Sequence, residues 1–254
     1  MGWAIGAKFL GKGALKSKSR KKLVVLVTGS TRHIGKAIAI QFAESGALVV
    51  LNARRDSKES KSLLAELRAK GLEVDFFSGD MTKERDIKKV FSNLKRKHRR
   101  LDVLINNVGG GPKDPKDALN AAFWSNSFQL NLFSAVSCTS QALKMMENQK
   151  SGVVIQIASV RGLFHAGHPH MMAYSAAKAA LLHFTATLAK VVPAYIHVAA
   201  IAPGKVTEPA IQENLENTQG SISPEAVARE VFRLAQSPEK RGGISIVDKG
   251  FHLL

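Results

Sequence analysis

Tyr174 and Lys178 stand four residues apart in Tyr174-Ser175-Ala176-Ala177-Lys178, a spacing that sets both side chains on one face of a helix, where they can meet on a common ligand. A phenol has an unperturbed pKa of about 10, so it moves protons at neutral pH only if a nearby cation stabilises its phenolate. A lysine ammonium one helical turn away is such a cation. Taken alone, the pair is equally an ordinary pair of helical neighbours. A second stretch with chemical potential is Thr28-Gly29-Ser30-Thr31-Arg32-His33-Ile34-Gly35, which follows the apolar run from Leu23 to Leu26. Gly29 permits a tight turn, Gly35 lets the following helix pack closely, and N–H groups at that helix's N-terminus can face a pyrophosphate. His33 occupies a position where a third glycine is expected. It is read as a tolerated variant that either crowds a phosphate or, beside Arg32, donates to one. In isolation this stretch is also compatible with a plain glycine turn.

The elements around these residues must hold them in place. Strand-like runs are expected at Leu23–Val27, Leu48–Asn52, Glu73–Ser78, Val103–Ile105, Gly152–Ile157, His197–Ile201 and Ile244–Val247. Helical patterns fall between them at Ile34–Ser45, Lys58–Lys70, Glu84–Lys97, Ala118–Glu147, Tyr174–Val192 and Pro224–Ala235. Strands apolar on both faces, each followed by a crossover helix, predict an α/β fold: a single doubly wound, Rossmann-type domain over residues 23–254, with a seven-stranded parallel sheet and helices on both faces. In such sheets ligands bind beyond the carboxyl ends of the strands. Thr28-Gly29, Arg54-Arg55, Asp80, Asn106-Asn107, Ser159 and Pro203-Gly204 each follow a predicted strand. After the second strand an acid would accept bonds from an adenosine ribose 2′-hydroxyl, whereas an arginine would meet a 2′-phosphate. Neither Asn52 nor Ala53 is acidic, and Arg54, Arg55 and Arg32 together favour NADP(H) over NAD(H).

Six motifs in order, Thr28-Gly29-Ser30-Thr31-Arg32-His33-Ile34-Gly35, Asn106-Asn107-Val108-Gly109, Asn131 in Gln129-Leu130-Asn131-Leu132-Phe133, Ser159, Tyr174-Ser175-Ala176-Ala177-Lys178 and Pro203-Gly204-Lys205-Val206-Thr207, resemble those of the short-chain dehydrogenase/reductase family. The resemblance covers about residues 22–250 and extends to the carrier-protein reductase-like and hydroxysteroid dehydrogenase-like members. It implies catalytic roles for Asn131, Ser159, Tyr174 and Lys178. Tyr174 exchanges the proton, Ser159 bonds the substrate oxygen, and Asn131 holds a water that links Lys178 to solvent. It implies cofactor contacts from Gly29, Ser30, Thr31, Arg32, His33, Ile34 and Gly35, from Arg54 and Arg55, from Asp80 and Met81, and from Asn107 and Gly109. Tyr174, Lys178, Pro203, Gly204, Val206 and Thr207 complete that set. The implied activity is NADP(H)-dependent reduction of a carbonyl, or oxidation of the alcohol, on a small molecule or an acyl thioester. A homotetramer, or else a dimer, is implied by the helices at Ala118–Glu147 and Tyr174–Val192. The competing reading is a dinucleotide-binding sensor or scaffold that has lost turnover.

Three departures from the family pattern stand out. Ser159 and Tyr174 are fifteen positions apart, so the intervening loop carries an insertion with His165, His168 and His170. The histidine spacing does not suit a metal, and none is expected. The segment after Thr207 is short, and Lys249 replaces a glycine in the usual acid-glycine-glycine ending.

A formal charge of +17 over 254 residues is high, and residues 1–22 contribute seven basic residues and no acid. That stretch is expected to be a flexible basic arm. Trp3, Ala7, Leu10 and Ala14 on one helical face keep open a peripheral membrane contact or organellar targeting, although Gly6, Gly11 and Gly13 weaken the helix. A second basic run, from Leu94 to Arg100, ends a helical pattern, where cations complement the helix dipole. With no interleaved aromatic residues, it argues against nucleic acid. The only cysteine, Cys138, precludes an intrachain disulfide, and no apolar stretch approaches the roughly 18 residues of a membrane span, so the expected location is cytoplasmic.

Overall fold

A computed structural model describes residues 22–111, 114–207, 220–236 and 242–248. The arm at residues 1–21, most of the short segment after Thr207, and Lys249 lie outside the described residues. Seven strands, β1 (Val24–Val27), β2 (Leu48–Ala53), β3 (Val74–Ser78), β4 (Val103–Asn106), β5 (Gly152–Ile157), β6 (Ile196–Pro203) and β7 (Ile244–Val247), form one parallel sheet in the order β3-β2-β1-β4-β5-β6-β7. Helices α1 (His33–Glu44), α2 (Lys58–Ala69), α3 (Glu84–His98), α4 (Ala121–Phe128), α5 (Ser134–Gln149), α6 (Met172–Val191) and α7 (Pro224–Gln236) connect and cover it.

Strand alternation divides the core in two. Val25 and Val27 join Val49 and Leu51 beneath α1, α2 and α7, while Leu26, Val50, Leu104 and Val154 face α3 and α5. Strands buried on both faces need apolar residues at every position, which is why they read as continuous hydrophobic runs. The α1–α7 contact is closed by an edge-to-face pair, Phe42 on Phe232, with centroids 5.2 Å apart. The basic run at the end of α3 anchors that helix to the sheet: Lys97 bonds Asp75 at 2.6 Å and Arg100 bonds Asp102 at 2.5 Å.

The helix expected over Ala118–Glu147 begins at Ala121 and is interrupted by a π-helical turn, Gln129–Phe133. The widened turn leaves carbonyls for side chains to satisfy. Asn131 Nδ2 donates to the Ser127 carbonyl at 3.1 Å, and Ser134 Oγ donates to the Leu130 carbonyl at 2.7 Å. Such turns are frequent at functional sites, and hydrophobic periodicity does not register them. Strand order reverses at β1, which pairs with both β2 and β4, so a crevice opens between the carboxyl ends of β1 and β4.

Candidate active site

The loops after β1 and β4 are stitched together. Thr28 Oγ1 accepts from the Asn107 and Val108 N–H groups at 2.9 and 3.2 Å, and Asn107 Nδ2 donates to the Thr28 and Gly29 carbonyls at 3.0 and 2.9 Å. Gly29 has φ +62°, a left-handed conformation that favours glycine. A Cβ on Gly35 would stand 2.3 Å from the Gly29 carbonyl oxygen and 2.5 Å from Asn107 Nδ2, so only glycine fits where α1 meets the turn. His33 has φ +48°, so the place of the expected third glycine is a left-handed one that a histidine fills. Arg32, the residue before α1, makes no capping side-chain bond, and the first turn carries no acid. The first turn of α1 thus presents its positive end to the crevice with no acid of its own, as suits an anion site.

Asn52, buried at the end of β2, ties the loop after β1 to the end of β3 and the loop that follows it. Its Oδ1 accepts from the Gly29 N–H at 3.2 Å, and its Nδ2 donates to the Phe77 and Gly79 carbonyls at 3.0 and 3.2 Å. Sequence reading noted only that it is not acidic. Ser30, expected to touch a cofactor, is fully buried and exchanges bonds with the Asn52 backbone. Beyond Asn52, Arg54 and Arg55 project at the rim, both exposed. Arg54 Nε lies 3.4 Å from Asp80 Oδ2, and Thr82 holds Asp80 Oδ1 through its N–H and hydroxyl at 2.9 and 2.7 Å. Burial pushes the Asp80 carboxyl up, but the Thr82 bonds and the Arg54 charge outweigh it and hold the group below its ordinary value. Glu59, an acid that sequence reading passed over, shares this rim. Its carboxyl is lowered first by a bond from Ser57 and also by the Arg32 charge.

At the other end Ser159 leads from β5 into a 3-10 turn, Val160–Gly162, with its Oγ accepting the Arg161 N–H at 3.2 Å. This turn sits directly on α6, because a Cβ on Gly162 would come within 2.6 Å of the Lys178 carbonyl carbon. The backbone contact brings Ser159 toward Tyr174. Burial pushes the Tyr174 phenol up, opposed by the nearby Ser159 hydroxyl and the Arg161 charge. Lys178 was expected to be that cation. Its Nζ lies over the Tyr174 ring, 5.8 Å from the ring centre, donates to the Ile157 carbonyl at 2.7 Å, and is brought down to about 8 by burial. Asn131 is fully buried, and its amide is committed to backbone: Oδ1 accepts the Gly110 N–H and Nδ2 donates to the Gly110 carbonyl, both at 2.9 Å.

One cleft of about 700 Å³ runs from the arginine rim to Tyr174. Of the residues given catalytic or cofactor roles from sequence, Ser30, Asn131 and Thr207 do not line it. Thr207 instead pairs with Ile222, to whose carbonyl its N–H donates at 3.1 Å. Met81 does line the cleft, although its sulfur packs on Cys138 at 3.6 Å. Gly110, which like Gly109 allows close approach of a ligand, also lines it, as do Leu130, Ile157 and Ala158, which carried no sequence signal of their own. The inserted loop after Gly162 is clasped to the segment after β4 by Asp114, whose N–H donates to the His170 carbonyl and whose carboxylate accepts the Met172 N–H at 2.7 Å. Among the described residues no three metal-ligating side chains converge, and no helix is long and apolar enough to cross a membrane.

Comparison with known proteins agrees with this geometry. The family model described as short chain dehydrogenase matches residues 23–220. A 3-oxoacyl-[acyl-carrier-protein] reductase of Synechocystis sp. is 34% identical over 225 residues, spanning 85% of this chain and 90% of the relative. A second reductase of that name, from Staphylococcus epidermidis, is 30% identical over 180 residues, 70% of this chain and 73% of its own. The crystal structure of acetoin dehydrogenase from Enterobacter cloacae superposes with a TM-score of 0.80 at 27% identity, covering 89% of this chain and 94% of that one.

Proposed function

The chain belongs to the short-chain dehydrogenase family, whose members use nicotinamide dinucleotides, and from that premise we propose that it is an NADP(H)-dependent oxidoreductase that reduces a carbonyl or oxidises the corresponding alcohol. The observation that carries the reading is a single cleft with Ser159, Tyr174 and Lys178 at one end and the uncapped N-terminus of α1, with Arg32, Arg54 and Arg55, at the other. The glycine turn and α1 would hold the pyrophosphate, the three arginines a 2′-phosphate, and Asp80 the adenine end. When bound, the dinucleotide supplies or accepts a hydride.

The chain's own residues handle the proton. Tyr174 donates its hydroxyl proton to the carbonyl oxygen during reduction and takes it back from the alcohol during oxidation. The Ser159 hydroxyl donates a hydrogen bond to that oxygen as charge develops on it. Lys178, half-neutral near pH 8, is suited to pass a proton rather than to act as a fixed charge. Asn131 serves this machinery by locking Gly110 at the cleft wall.

The reading is tested by following NADPH oxidation with a panel of ketones and acyl thioesters. Tyr174→Phe is expected to cut the rate at least about 100-fold, the usual scale for losing a general acid, while NADPH fluorescence titration still shows binding. A rate unchanged by that substitution would overturn the assignment in favour of a non-catalytic dinucleotide binder. We further propose a homotetramer built on the outer faces of α4, α5 and α6, supported by the exposed Phe133 and Val191. Light scattering that gives a monomer mass would refute it. A cytoplasmic location is consistent with the one buried, unpaired cysteine.

A further inference from the structure

A cation stands next to the substrate end of the cleft, outside the residues that line it. Arg161 lies two residues beyond Ser159 in the turn that rests on α6, and its backbone N–H is already donated to the Ser159 hydroxyl oxygen. Its side chain is exposed, and among the described residues no carboxylate is paired with it. The stretch from Val160 to Ala173 that overhangs the site holds this arginine and three histidines and no Asp or Glu. Of the two acids on the segment after β4, Asp114 is spent elsewhere, with one oxygen on the Met172 N–H and the other buried, and Asp117 makes no ion pair with Arg161. An unpaired guanidinium beside the group that would hold the reacting oxygen is a recognition element for a planar anion.

Resting on the oxidoreductase reading above, we propose that Arg161 determines substrate specificity and that the carbonyl substrate carries an anionic group, a carboxylate or a phosphate, close to the reacting carbon. The guanidinium would bind that anion by paired N–H donors while Ser159 and Tyr174 hold the carbonyl oxygen. The Arg161 charge already acts on the Tyr174 phenol, which places it within electrostatic reach of the reacting oxygen. A neutral ketone would leave the guanidinium without a partner in a closing site, and discrimination against it follows from that loss.

The test compares matched pairs in steady-state NADPH oxidation: 3-oxobutanoate against its ethyl ester for the carboxylate, and dihydroxyacetone phosphate against dihydroxyacetone for the phosphate. The wild-type protein is expected to prefer the charged member of at least one pair in kcat/KM, and the pair that responds identifies the anion. Arg161→Gln is expected to lower that preference about 10- to 100-fold, the scale of one charge-assisted hydrogen bond, and Arg161→Lys to restore part of it. Because any effect of the substitution on Tyr174 touches both members of a pair, it cancels in the ratio. A wild-type preference for the neutral member in both pairs, or a ratio unchanged by Arg161→Gln, would overturn the proposal while leaving the oxidoreductase reading intact. Turnover of neither member of either pair, together with no turnover of any carbonyl in the wider panel, would instead remove the oxidoreductase reading, and the proposal with it.

Discussion

Asn131 and Gly110 are bonded to each other twice, side-chain amide to both backbone groups, each at 2.9 Å. A π-helical turn presents Asn131 at this point, and the third bond of its amide goes to the Ser127 carbonyl that the turn has released. Asn131→Ala would leave the part-buried Gly110 N–H and carbonyl and the buried Ser127 carbonyl without their partners. Leaving a buried donor or acceptor unsatisfied costs about 1–3 kcal/mol, so the variant is expected to lose about 2–4 kcal/mol in urea unfolding and to weaken NADPH binding along with turnover. A variant with wild-type stability but low turnover would show that Asn131 acts chemically and not as a clamp.

The fold was legible because its strands are buried on both faces. Val24 to Val27 must be apolar at each position, and such runs separated by amphipathic helices admit few architectures. The cleft was legible where a residue type has a geometric reason, as with Gly29 and Gly35. Residues whose work is side chain to backbone escaped notice. Nothing in the letter at position 52 announces that Asn52 ties the loop after β1 to the one after β3, and the π-turn around Asn131 has no period of its own. For Lys178, four-residue spacing gives proximity to Tyr174, with the amine 5.8 Å from the ring centre, but not the amine's hydrogen-bond partner, which is the Ile157 carbonyl.

His33 illustrates a backbone requirement that a sequence motif only hints at. Its φ of +48° costs an L-residue about 1–2 kcal/mol, although histidine tolerates the region better than most. Glycine removes that strain but adds about 0.5–1 kcal/mol of unfolded-state entropy cost. His33→Gly is therefore expected to be neutral or to stabilise by less than about 1 kcal/mol, whereas the β-branched His33→Val loses about 1–2 kcal/mol. Denaturation midpoints decide the matter, and equal stability of histidine and valine would mean that the conformation imposes no strain.

Cofactor choice should rest on the arginine rim. Arg54 is partly engaged by Asp80, and Arg55 is exposed beside it, so the pair offers charge to a 2′-phosphate that NADH lacks. Replacing both with serine is expected to weaken NADPH about 10- to 100-fold, by analogy with the loss of one charge-assisted contact, with NADH affinity changing less than about threefold. Paired fluorescence titrations measure the ratio. An equal loss for both dinucleotides would mean that these arginines hold the adenosine end without reading the phosphate.

Lys178 offers a pH test of the site's electrostatics. Burial brings its amine from 10.5 to about 8. Below pH 8 the lysine is charged in folded and unfolded chains alike, and the folded state bears the full desolvation cost, on the order of 3 kcal/mol. Between 8 and 10.5 the folded amine is neutral while the unfolded one keeps its proton, so the penalty is relieved and stability from this group rises with pH. Lys178→Met has no such titration. It also leaves the Ile157 carbonyl without its partner, but that cost does not vary with pH and drops out of the slope. The unfolding free energy of the wild type, measured relative to the methionine variant, should therefore increase by about 2 kcal/mol between pH 7 and 9.5, a range that stops short of tyrosine ionisation. A difference that stays flat would mean the amine is hydrated and keeps its proton throughout, and Lys178 would then act at Tyr174 as a fixed charge rather than as a proton carrier.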